Sequence, residues 1–155
     1  MSKKYLMICL TIAFAICVSV YPVIAGEDTY QVNIEGVNFN IPNDYHLKED
    51  FIFEEDVISQ DRWGNGVPVH YKSVDYTNGK NSISITVTTS NGEPFDLKNV
   101  AFADDAKTTI ANKTGAISKS PGDVLFSYVE DGKIVGIETF MDNDNVNIIE
   151  KVIGS

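Results

Sequence analysis

From Ser82 to Thr88 the chain alternates without a break, with Ile83, Ile85 and Val87 apolar and Ser84, Thr86 and Thr88 hydroxylated between them. A period of two puts successive side chains on opposite sides of an extended backbone, so this run is a strand with one buried face. Asn78-Gly79 stands just ahead of it, behind a second extended run, Val67–Thr77. Asn-Gly accepts the positive φ angles of a type I′ turn, whose twist matches that of two antiparallel strands. Residues 67 to 89 therefore read as a β-hairpin.

The pattern recurs along the chain. Val32 and Ile34, then Val37, Phe39 and Ile41, flank Glu35-Gly36, and Pro42 closes that hairpin. Val124, Phe126 and Tyr128 lead into Asp131-Gly132, and Ile134–Met141 returns. Thr108–Ala111 and Ala116–Lys119 flank Asn112–Gly115 as a smaller hairpin. Asn43–Gly66 departs from the alternation, because Glu49-Asp50 and Glu54-Glu55-Asp56 interrupt Phe51-Ile52-Phe53 and Val57-Ile58. It reads as a strand or short helical turn inside a long loop.

Two segments have helical spacing instead. Asp96 is an N-cap residue preceded by Phe95 as a staple to Val100, and Leu97, Val100, Ala101 and Ala103 predict a helix of about three turns, with Asn112–Gly115 as its alternative end. Val146, Ile149, Val152 and Ile153, behind Asp142 and Asp144, predict a short amphipathic helix at the C-terminus. The expected fold is α+β: an antiparallel β-sheet built from hairpins, with one mid-chain helix and a short C-terminal helix packed on it.

Four stretches carry a resemblance: Ile34–Pro42 followed by Tyr45, Thr109–Gly115, Tyr128–Lys133 and Ile148–Ile153. Together they are similar to a group of small exported proteins of methanogenic archaea, and the layout of the opening and the closing helix resembles the PsbP/Mog1-like α+β domains. The resemblance covers most of residues 30–155 and rests on turn and core positions. It implies a fold and carries over no catalytic residue.

The first 25 residues differ in kind from the rest. Lys3 and Lys4 precede an uncharged run from Tyr5 to Ala25, Pro22 breaks it, and Val23-Ile24-Ala25 supplies a signal-peptidase site before Gly26. Residues 1–25 are expected to be a signal peptide and 26–155 a single exported α+β domain. The alternative is an uncleaved anchor, since the run approaches the roughly 20 residues that span a bilayer. Cys9 and Cys17 both lie inside the run, so the exported part has no disulfide, zinc–thiolate site or cysteine nucleophile. Ile8 and Ile16 stand before them, where lipid attachment wants a small residue.

Charge narrows the partners. With 22 acidic and 12 basic residues the net charge is −10, and removing residues 1–25 takes away two lysines and no acid, leaving −12 on the exported part. A nucleic acid partner is excluded, because phosphate binding needs clustered Lys and Arg. No cofactor motif is present in the sequence, whether Walker, dinucleotide or His-Glu-x-x-His.

The candidate site residues are few. His46 and His70 are the only imidazoles, and His70 adjoins Tyr71 with Arg62 and Trp63 upstream. A hydrolase or lyase would use His70, but no Gly-x-Ser-x-Gly accompanies it. Trp63, Arg62 and Tyr71 form a candidate binding set, because aromatic and Arg anchors dominate recognition. Asp142 and Asp144 are candidate calcium ligands, although Asn147 and Ile153 occupy the positions where an EF-hand needs Gly and Glu. Asn112-Lys113-Thr114 is a glycosylation sequon, with Asn112 the acceptor.

The sequence thus points to a non-catalytic binding or structural module of the cell envelope or exterior, with a calcium-stabilised surface module and a His70 hydrolase as alternatives. Its partner is expected to be an extracellular or envelope ligand, with membrane involved only if residues 5–25 remain attached. Intact-mass measurement on fractionated source cells checks the export expectation: a chain starting at Gly26 should appear in a soluble or wall fraction, whereas a full-length mass in the membrane overturns cleavage.

Overall fold

The computed structural model describes residues 28–59, 67–100, 106–141 and 145–154. Nine strands and one helix follow in chain order among these residues: β1 (Thr29–Ile34), β2 (Val37–Pro42), β3 (His46–Ser59), β4 (Val67–Thr77), β5 (Ser82–Ser90), β6 (Ala106–Ile110), β7 (Lys113–Ser120), β8 (Asp123–Glu130), β9 (Lys133–Phe140) and α1 (Asn145–Ile153). β1 and β2 form a hairpin of their own. The other seven make one antiparallel sheet in the order β3-β4-β5-β9-β8-β7-β6.

Turn chemistry sets the local pairings. Glu35-Gly36, Ala111-Asn112 and Asp131-Gly132 each have positive φ at both residues and directly join paired strands, as type I′ connections require. Asn78-Gly79 does not follow suit. Thr77 pairs with Ser82, so the loop holds four residues, and the Asn78 side chain accepts from the backbone N–H groups of Lys80 and Asn81 in place of a type I′ turn. The β6–β7 turn also sits earlier than expected. Ala111 and Asn112 carry the reversal, which frees Gly115 for the body of β7, where it pairs with Thr108 and Tyr128.

The hairpin β1–β2 and α1 cover one face of the sheet. Ile34, Val37, Phe39 and Ile41 from the hairpin and Ile149 and Val152 from α1 pack on Val74, Tyr76, Ile83, Ile85, Val87, Phe126, Tyr128, Val135 and Ile137. Fully burying such a side chain is worth about 1.5–3 kcal/mol, so this layer dominates stability. Tyr45 is enclosed with them and receives a hydrogen bond at its carbonyl from the Tyr30 hydroxyl at 3.0 Å. Burial pushes the Tyr76 hydroxyl up to about 12 and the Tyr128 hydroxyl higher still, so both stay neutral within the core. The opposite face has a smaller cover: Phe95 and Val100 close over Val69 and Ile134 at one end.

Two sequence expectations are corrected. The mid-chain helix is absent from the described residues: Leu97–Asn99 is a single 3-10 turn, and β6 begins at Ala106. The capping box is real, with Asp96 accepting from Lys98 N–H and the Asn99 side chain accepting from Asp96 N–H. Its apolar partners Phe95 and Val100 bury against the sheet within one turn. His46–Ser59, expected as an irregular loop with a strand or helical turn, is a 14-residue strand. It lies at the sheet edge, where polar side chains are tolerated on both faces and the alternation disappears. The structure is therefore mostly antiparallel β-sheet with one C-terminal helix. The expected leader, residues 1–25, lies outside the described residues.

Gly115 is a test of the packing. A Cβ there would meet the Ser127 carbonyl oxygen and lie 2.9 Å from Phe126 Cε2. Gly115→Ala should lower stability to chemical denaturation by about 1–3 kcal/mol, the range for overpacking. Gly92→Ala, whose Cβ would find Ser90 Oγ at 3.7 Å, should stay within about 0.5 kcal/mol of the parent.

Candidate functional site

The pairing of β3 with β4 aligns charged side chains at the rim of the covered face. Glu54 stands opposite Lys72 and Asp56 opposite His70, all on the side that carries Val74 and Tyr76. His70 places Nδ1 2.9 Å from Asp56 Oδ1 and Nε2 3.6 Å from Glu54 Oε1. The Lys72 ammonium lies 2.9 Å from the other Glu54 oxygen and 3.8 Å from Glu35, in the β1–β2 turn. Lys133 donates to the Glu35 carbonyl and ties that turn to β9. The hydrogen bond and charge of Lys72 hold the Glu54 carboxyl below its usual range, and Glu54 in turn raises the Lys72 ammonium. Both imidazole nitrogens of His70 thus face carboxylates. The hydroxyl of Thr89, which pairs with His70 across the sheet, donates to the His70 backbone carbonyl at 3.4 Å and not to the ring. Glu35, Lys72, Glu54, His70 and Asp56 thus form a chain of charged and hydrogen-bonding side chains across three elements.

Tyr71 follows His70 in sequence and faces the other way. Its ring lies 5.5 Å from Phe53 and its hydroxyl donates to Glu55 at 3.1 Å. Desolvation, then the Glu55 carboxylate, raises the Tyr71 hydroxyl above its ordinary value. Five large apolar side chains of the edge strand are open to solvent among its charged residues: Leu47, Phe51, Ile52, Phe53 and Ile58 are 43 to 64% exposed. Four residues, Lys48–Phe51, stand opposite the single Asp75 and form a bulge, with the Lys48 ammonium 3.7 Å above the Phe51 ring.

A third group lies on the less covered face. Glu138 on β9 pairs with Ser84 and Leu125, with Asp123 diagonal to it on β8 and Asp75 one strand beyond Ser84. Burial, then the neighbouring Asp123 and Asp75 carboxylates, holds Glu138 above the usual carboxylate range.

The sequence-derived candidates are thereby dispersed. Tyr71 lies in the edge patch and His70 in the ion-pair chain on the reverse face, while His46 starts β3, opposite Thr77. Asn112 is exposed in the β6–β7 turn at φ +61°, with Thr114 also exposed two residues on, so the sequon is accessible. Arg62, Trp63, Asp142 and Asp144 lie outside the described residues. Among the described residues no group of three or more His, Asp or Glu side chains is arranged to hold a metal ion. The exposed apolar residues of β3 were not singled out from the sequence, although the run Phe51-Ile52-Phe53 between Glu49-Asp50 and Glu54-Glu55-Asp56 was their signal. No protein-family model matches the chain, and neither curated proteins nor solved structures yield a match.

The acidic group generates a pH prediction. A carboxyl whose folded-state pKa is raised stabilises fully below its unfolded pKa, and that contribution is lost as pH rises through the folded value. Glu138→Gln should therefore stabilise the fold at neutral pH, by at most about 1 kcal/mol given the partial solvation of Glu138, and raise the melting temperature accordingly. The gain should shrink to nothing near pH 3, where the parent side chain is already protonated. Paired thermal melts across that range check it.

Proposed function

We propose that the chain is an exported or cell-envelope α+β domain that acts by binding and not by catalysis, with the exposed edge strand β3 as its contact surface. One observation carries the reading: five large apolar side chains, each at least two-fifths exposed, lie along a single strand at the sheet edge. A lone exposed leucine or phenylalanine needs no explanation, but a contiguous set on a sheet edge exposes both apolar surface and backbone groups to any partner. Acidic residues among them keep the strand soluble until a partner arrives. The leader-like residues 1–25 and the absence of cysteine from the rest of the chain support an extracytoplasmic location.

Added to washed envelopes of the producing cells, the protein should co-sediment with them. The triple variant Phe51→Ser, Phe53→Ser, Ile58→Ser should keep its melting temperature within a few degrees, because these side chains are solvated, yet lose most of the bound fraction. Sedimentation of the variant equal to that of the parent, or a parent that does not sediment at all, overturns the reading.

A further inference from the structure

We propose that the outer edge of β3 between Ile52 and Ser59 receives an extended basic segment of a partner chain, which adds to the sheet as an eighth strand. This rests on the reading of β3 as the contact surface and specifies its occupant.

The backbone is suited to it. From Ile52 opposite Val74 to Ser59 opposite Val67 the register with β4 is continuous, and among the described residues no strand lies on the other side. Every second residue of an antiparallel strand directs its N–H and C=O away from one neighbour, so this segment has a row of outward-facing groups. The bulge at Lys48–Phe51 interrupts the earlier part and limits regular addition to eight residues.

The side chains set the occupant's chemistry. Ile52-Phe53 and Val57-Ile58 bracket three consecutive carboxylates, Glu54-Glu55-Asp56, and no basic residue falls within the segment. On the covered face, Lys72 and His70 pair with Glu54 and Asp56 from the β4 side only, and these carboxylates remain 50 and 79% exposed. On the other face the Tyr71 hydroxyl is the partner of Glu55. A strand laid alongside meets apolar, acidic and apolar positions in turn. Its complement has two apolar residues, three Lys or Arg, and two apolar residues.

A second copy of this chain fits the apolar positions and fails on charge. Antiparallel pairing centred on Glu55 would set Ile52 against Ile58 and Phe53 against Val57, but it would also oppose Glu55 to itself and Glu54 to Asp56, within chains of net charge −10. Like charges directly opposite each other destabilise a sheet, and a basic occupant removes that repulsion.

The test uses fluorescence anisotropy of a labelled, end-capped Val-Ile-Lys-Arg-Lys-Val-Ile peptide with the purified protein. The expected result is saturable binding in the range of roughly 10–100 µM, a weak-complex affinity, weakened about tenfold by high salt. The same peptide with Glu at its three central positions should not bind, and Glu55→Lys, Asp56→Lys protein should reverse that preference. Two further peptides, N-methylated on alternate amides in opposite phase, separate strand addition from plain ionic attraction. One phase should abolish binding and the other leave it within about threefold. Equal binding by both methylated peptides overturns the proposal, as does neutral-pH dimerisation with slowed amide exchange confined to β3, which would identify a second copy as the occupant. If the basic peptide fails to bind while the parent still sediments with envelopes and the triple serine variant does not, strand addition is wrong and the contact surface stands.

Discussion

The pairing of β5 with β9 joins two halves of the molecule that are otherwise each a simple succession of hairpins. β3, β4 and β5 follow one another on one side, and β6 to β9 run back on the other, so the sheet is continuous only because Ile83, Ile85 and Val87 align with Thr139, Ile137 and Val135. All six are buried, and Thr139 is satisfied by donating to the Val124 carbonyl and the Asn145 side chain. A slip of one residue here would turn every apolar side chain of the slipped strand to the wrong face. About 50 residues separate the two strands, so closing them has a chain-entropy cost that the local hairpins do not meet, and the covering layer of β1–β2 and α1 supplies the compensating burial.

The two faces of this sheet are finished differently. One receives a hairpin and a helix, with ion pairs at the rim where Lys72 and Lys133 reach the Glu35 turn. The other is covered at one end by Phe95 and Val100 and elsewhere presents hydroxyls, such as the Ser73, Ser84 and Thr86 chain, and a carboxylate group around Glu138. Hydrogen-bonded hydroxyls tolerate partial solvation, whereas Glu138 is held against its preference for ionisation, so this face is a place of modest stored instability.

Strands with one buried face were legible in the sequence, since alternation and turn residues are local and directly encode the pleat. β2, β5, β8 and β9 follow from Phe39, Ile85, Phe126 and Ile137 with their polar neighbours, and α1 from Ile149 and Val152. β3 was not legible, because an edge strand is not required to alternate. The Asp96 capping box was read correctly as a start and wrongly as a three-turn helix, since a cap encodes where a turn begins and carries no information about its length. The site was still less visible. His70 and Tyr71 are adjacent in sequence and on opposite faces in space, so their proximity meant nothing once the segment was extended. The exposed patch depends on which strand ends up outermost, a property of the β5–β9 junction and not of any residue within β3.

The sheet ends in two very unequal margins. At one end β3 offers a long border with no neighbour among the described residues; at the other, β6 has five residues and is capped by the Ala111-Asn112 reversal. A glycan on Asn112 would hang over that short border, at the full width of the sheet from β3. Growth of the sheet by further chains would then be possible in one direction only, so that a molecule able to accept a strand would be unable to template a fibre.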